Sequence, residues 1–229
     1  MTSQVISLKK VSEDVVISLQ KKGVTNIPKD INVSLVLDQS GSMSNYFGNG
    51  TVANILRHLL GISNVIDDDG NLPFVVYHSQ AFDAGTLNVS QYDQVEHILG
   101  ESIRKYGFGG TAYTPAIDAI LKKLGGGGFL GGLFGNPLAS IKGKQLITFI
   151  TDGETSSSDE REFEAKIKQI ESSNNVYVQL ICVGFHSNFL SSLGDRYDSV
   201  GYSSIADFSK TDAELIDAVV NPEVIAKFG

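Results

Sequence analysis

Three short segments carry the side chains best suited to chemistry: Asp38-Gln-Ser-Gly-Ser42, Phe108-Gly-Gly-Thr-Ala-Tyr-Thr-Pro115 and Thr151-Asp-Gly-Glu154. Asp38, Ser40, Ser42 and Asp152 offer carboxylate and hydroxyl oxygens, and the middle segment adds the hydroxyls of Thr111 and Thr114. Short side chains bearing oxygen, without nitrogen or sulfur, suit hard cations such as Mg²⁺, Mn²⁺ or Ca²⁺. Glycines at 41, 109, 110 and 153 would let the backbone turn tightly beside an ion. Strand-end turns and helix caps draw on the same residue types. The coincidence of all three segments is what favours a cation site.

Catalysis lacks its usual parts. No G-x-S-x-G nucleophile elbow occurs. His58, His78, His97 and His186 include no helical i, i+4 pair of the zincin kind. A bound ion could activate water for hydrolysis, but the one nearby base is Glu154. That residue could equally favour the N-terminus of the following helix. The expectation is a binding site and not an enzyme. Asp67, Asp68 and Asp69 lack the alternating ligand spacing of an EF-hand loop and read as a solvated turn.

The elements that must position these segments follow from hydrophobic period. Residues 31–38, 144–151 and 176–184 are apolar, β-branched runs expected as strands buried on both faces. Residues 74–82 read as another strand, with a short one near 86–89. Helical spacing marks 52–66, 91–105, 115–124, 159–171 and 211–220, with Pro115 placed where a missing N–H costs least. A short helix over 12–23, capped by Ser12 and ended by Gly23, precedes them. Strands alternating with helices predict an α/β sandwich with a mostly parallel sheet and helices on both faces. Ligands of such sheets bind outside the carboxyl ends of the strands, where all three segments fall.

Asp38-x-Ser-x-Ser42, Gly-Gly-Thr111 and Thr-Asp152-Gly resemble the metal-ion-dependent adhesion site of von Willebrand factor A (vWA) domains, over residues 31–220. The resemblance implies a three-layer, Rossmann-like fold with one antiparallel edge strand. It divides the chain into an N-terminal extension, 1–30, and a vWA domain, 31–229, with a Gly-rich insertion at 125–143. It implies that Ser40 and Ser42 coordinate the ion through their hydroxyls, that Asp38 and Asp152 hold it largely through water, and that Thr111 joins directly in the ligand-competent state. Thr111 fits the family's spacing to Ala116 and Ile117, which leaves Thr114 as a helix cap. A coordination shell left incomplete implies a protein partner that supplies an Asp or Glu, with Mg²⁺ as the default ion. A metal-stabilised scaffold or a metal-assisted hydrolase are the alternatives.

Asp67-Asp-Asp-Gly70, Phe149-Ile-Thr-Asp-Gly-Glu154, Val183-Gly-Phe185 and the tail at 207–216 are similar to the TerF-type vWA domains of bacterial tellurium-resistance and stress-response proteins. That similarity implies a cytoplasmic role in a multiprotein stress module. The composition agrees: 41% hydrophobic, 19% charged and no apolar run near the ~20 residues that span a bilayer; residues 1–10 hold no sustained apolar stretch, so a secretory leader is not expected. Cys182, the only cysteine, sits in an apolar run and reads as a buried hydrophobe in a reducing compartment. A net charge of −8 opposes nucleic-acid binding.

The stretch 125–135 contains a literal G-x-G-x-x-G at Gly126, Gly128 and Gly131. It follows a helix and precedes a strand, the wrong context for a dinucleotide site. The bland reading is a mobile insertion. The sharper one gives Phe129, Leu130, Leu133 and Phe134 a contact with a partner or with a peripheral membrane surface.

Overall fold

The computed structural model describes residues 6–126, 137–205, 212–220 and 222–228. Apolar runs too uniform for a one-sided strand become the middle of a single sheet. The strands are β1 (Ile31–Asp38), β2 (Asn71–Tyr77), β3 (Ala81–Asn88), β4 (Lys144–Thr151), β5 (Val176–Val183) and β6 (Val200–Ile205). Their order is β3-β2-β1-β4-β5-β6, and only the β2–β3 pair at one edge is antiparallel. β1, β4 and β5 match the sequence expectation to within a residue. The run 74–82 does not stay one strand. His78 donates its N–H to the Gln80 carbonyl (2.8 Å), and this turn sends β3 back along β2. Apolar residues flank the turn on both sides, so periodicity could not place it.

The helices are α1 (Leu8–Lys21), α2 (Ser44–Gly48), α3 (Thr51–Ile66), α4 (Val95–Tyr106), α5 (Tyr113–Leu124), α6 (Ser157–Glu171), α7 (Asn188–Arg196), α8 (Asp212–Val219) and α9 (Pro222–Phe228). Side-chain alternation along the strands splits the core into two layers. Leu35 and Leu37 share one apolar cluster with α1, α3, α4, α8 and α9, while Val36 and Phe149 share the other with α5, α6 and α7. This is the expected α/β arrangement of a mostly parallel sheet, an antiparallel edge strand and helices on both faces.

α1 starts earlier than expected because Ser7, not Ser12, accepts the Lys10 N–H as N-cap (3.3 Å). Its i, i+4 stripe of Val11, Val15 and Leu19 is fully buried in the same cluster as β1. α3 meets it at Gly61, where a β-carbon would lie 2.3 Å from Val11 Cγ1. Neither α7 nor β6 was expected. The segment 125–143 leaves α5 and leads into β4, and Leu138 and Ile141 pack into the second cluster. Phe129, Leu130, Leu133 and Phe134 lie outside the described residues.

Candidate metal centre

β1 has β2 on one side and β4 on the other, so the sheet order reverses at β1 and a crevice opens outside the carboxyl ends of β1 and β4. Asp38, the last residue of β1, is 0% exposed there. Its Oδ1 accepts the Ser40 N–H (2.7 Å) and its Oδ2 accepts the Thr151 hydroxyl from the end of β4 (2.7 Å). The Ser40 and Ser42 hydroxyls lie 3.0 Å apart. Ser42 donates to Asp152 Oδ1 at 2.7 Å, and the Ser40 hydroxyl stands 3.5 Å from the same oxygen. Thr111 reaches this spot from the loop before α5. A β-carbon on Gly153 would find Thr111 Oγ1 at 3.5 Å and Ser42 Oγ at 3.7 Å. The structure thus brings Asp38, Ser40, Ser42, Thr111 and Asp152 together from three distant segments.

The loop of Thr111 is fastened on both sides. Gly41 donates its N–H to the Gly109 carbonyl (2.8 Å), Ala112 to the His78 carbonyl (3.0 Å) and Gly110 to the Ser79 hydroxyl (3.1 Å). Gly109 and Gly110 serve close approach and not a left-handed turn. Neither has a positive φ, and β-carbons there would stand within 3 Å of His78 and of Ser79. Gln39 is also part of the machinery. It is buried, accepts the Ser102 hydroxyl (2.7 Å) and donates to the Gly107 carbonyl, so it pins the chain four residues before Thr111.

Thr114 is not the helix cap. α5 begins at Tyr113, and the N-cap position, Ala112, makes no side-chain hydrogen bond. Asp159 of α6 takes that part instead, accepting the N–H groups of Tyr113 (2.6 Å) and Thr114 (3.1 Å). Thr114 donates its hydroxyl to the Asp159 carbonyl. Thr155 hydrogen-bonds both the Thr111 carbonyl (3.1 Å) and Asp159 Oδ2 (2.8 Å), and Tyr113 donates its hydroxyl to the Gly153 carbonyl. Gln39, Thr155 and Asp159 escaped the sequence reading because each acts on remote main-chain atoms, which no local spacing announces.

Burial pushes the Asp38 carboxyl up to about 6, against hydrogen bonds from Thr151 and Ser40 that pull it down. Burial likewise raises Asp152, opposed by hydrogen bonds from Ser42 and Ser40. Among the described residues neither carboxylate forms an ion pair with Lys, Arg or His. A buried carboxylate beside a half-buried one, with no protein cation, is costly, and a bound divalent ion would reverse that balance. Among the described residues no three His, Cys, Asp or Glu cluster as a metal site. The donors are hydroxyls around two carboxylates, and this set fits a hard divalent ion better than zinc.

The other groups singled out in the sequence are structural. Asp67 is not solvated. It is 6% exposed and accepts the Val33 N–H at the start of β1 (3.2 Å), while Asp68 and Asp69 face solvent. Cys182 is buried in β5, where desolvation raises its thiol to about 11.

The sheet with its polar rim has the architecture of the vWA domains. Manganese-loaded TRAP protein of Plasmodium vivax aligns at a TM-score of 0.56 and 20% identity, covering 86% of this chain and 74% of that one. The pilus adhesin SpaC of Lactobacillus rhamnosus GG, in an open conformation, aligns at 0.54 and 16%, covering 87% and 30%. The family model for the vWA found in the TerF C terminus matches residues 30–223, and the chain belongs to this vWA-TerF-like family. An uncharacterised protein of Bacillus subtilis (strain 168), YcbR, is 27% identical over 222 residues, 94% of this chain and 83% of that protein.

Proposed function

We propose that this chain is a divalent-cation-dependent protein-binding module in which Ser40, Ser42 and Thr111 ligate the ion, with Asp38 and Asp152 supplying the negative charge. One observation carries the reading. Hydroxyls and carboxylates from three separated loops converge at the switch point of the sheet, and among the described residues no Lys, Arg or His forms an ion pair with them. Two carboxylates nearly neutralise a divalent ion without filling its coordination sphere, so an Asp or Glu from a partner can complete it. Mg²⁺ is the proposed ion, with Mn²⁺ or Ca²⁺ able to replace it. The manganese named for the TRAP structure and the adhesin SpaC support a cation-dependent binding role by analogy of fold.

Binding, not catalysis, is part of the proposal. Glu154, the nearest additional base, is exposed and makes no hydrogen bond to the rim hydroxyls described above. The family's TerF namesake and the motifs at 67–70, 149–154, 183–185 and 207–216 support a place in a cytoplasmic tellurium-resistance or stress-response assembly. No described helix is long and apolar enough to cross a membrane.

The test is capture from cell lysate by the immobilised protein in Mg²⁺ or EDTA, beside Ser40→Ala. A partner retained only by wild type in Mg²⁺ is the expected result. Capture indifferent to both chelator and substitution would favour an ion that merely stiffens the rim.

A further inference from the structure

Ser40 and Ser42 are fixed by hydroxyl contacts to each other and to Asp152. Thr111 is placed differently, through its main chain. Ser79 and His78 anchor the amides on either side of it from the β2–β3 turn. Its own carbonyl is held from the opposite side by Thr155, three residues beyond Asp152. That contact joins the loop of Thr111 to the loop of Asp152, and so helps set the separation of two ligands that share no strand and no turn.

We propose that Thr155, anchored by Asp159, is a positioning residue for the cation site. This rests on the cation reading above. The hydroxyl has one proton and two acceptors, the Asp159 carboxylate at 2.8 Å and the Thr111 carbonyl at 3.1 Å. The proton is shared between them as a three-centre bond, so the carboxylate and the carbonyl are held by the same hydroxyl. Asp159 is itself held by the first two amides of α5, which donate to it. The same carboxylate therefore caps the helix that follows Thr111 and seats the hydroxyl that holds Thr111. Neither side chain needs to touch the ion. Outer-shell partners of this kind typically change metal affinity by about 10–100-fold when removed.

Thr155→Val keeps the shape and removes the hydroxyl, whereas Thr155→Ser keeps the hydroxyl. Free Mn²⁺ is followed by electron paramagnetic resonance during titration of wild type and both variants, and each metal-free protein is melted in parallel. The valine variant is expected to bind Mn²⁺ roughly tenfold more weakly. Its metal-free melting temperature should stay within about 4 °C of wild type. The serine variant should bind close to wild type. Wild-type affinity in the valine variant, or equal weakening in the serine variant, overturns the proposal. So does weakening that tracks a matching loss of metal-free stability in both. A wild-type protein that takes up no Mn²⁺ sinks the cation reading itself, and that is seen before either variant is made.

Discussion

Asp67 shows how a buried carboxylate can be structural and still leave a pH signature. Burial pushes its carboxyl up to about 6, Asp69 and Asp68 add repulsion, and the N–H groups of Val33 and Asp69 pull the other way. A raised native-state value means that between about pH 4 and 6 the folded chain binds more protons than the unfolded one. This group therefore costs stability as pH rises through about 6 and restores it on acidification. In EDTA, wild type should gain stability from pH 7 to 5 by on the order of 1 kcal/mol more than Asp67→Asn, measured by urea unfolding. Equal pH slopes would show that Asp67 ionises freely. The contrast with Asp38 explains what could be read from sequence. Asp38, Ser40, Ser42, Thr111 and Asp152 stand directly after apolar runs or beside paired glycines, so residue type and context point the same way. Asp67 looked like a solvated acidic turn because its partner, the Val33 amide, is supplied by a strand 34 residues away. Gln39, Thr155 and Asp159 were hidden for the same reason.

At the scale of elements, contrast between runs decided what was legible. β1, β4 and β5 are continuous apolar stretches bounded by polar residues, and their limits follow from that alone. β6 reads Val-Gly-Tyr-Ser-Ser-Ile, with a glycine and two serines in six residues, and it forms because β5 offers it a ladder. Its Gly201 answers to packing, since a β-carbon there would lie 2.2 Å from Gln179 Oε1. The start of α1 depends on which of two serines caps it, and a start after Ser7 packs Val11 into the buried stripe with Val15 and Leu19. That packing is testable at the α1–α3 crossing. Gly61→Ala puts a methyl group where Val11 Cγ1 already stands, and overpacking of this kind costs about 1–3 kcal/mol. Val11→Ala added to Gly61→Ala should recover part of the loss, because it removes the nearer clash and leaves the Val11 β-carbon position at 2.9 Å. Chemical denaturation of the single and double variants measures this coupling. A freely tolerated Gly61→Ala would mean that α1 does not sit against α3 in solution.

For the whole molecule, the position of the rim determines what an ion does to stability. The ligands proposed here hang from β1 and β4, the two central strands of the sheet, with Thr111 tied back to the β2–β3 turn. An ion held there loses its ligand set when those strands separate, so its binding energy should appear in global unfolding. A ligand at about a hundred times its Kd stabilises the native state by roughly 2.7 kcal/mol. In a chain of this length each kcal/mol moves the melting temperature by about 2–4 °C. Mg²⁺ or Mn²⁺ at that excess should therefore raise the melting temperature by roughly 5–10 °C over EDTA. Ser42→Ala, which removes the hydroxyl bound to Asp152, should flatten the response while barely moving the melting temperature in EDTA. Acidification should weaken the response as well, because protons compete with the ion for the carboxylates. A metal-free wild-type protein whose melting is unchanged by Mg²⁺, Mn²⁺ and Ca²⁺ would leave the two carboxylates without a counter-ion, and the binding module without its switch.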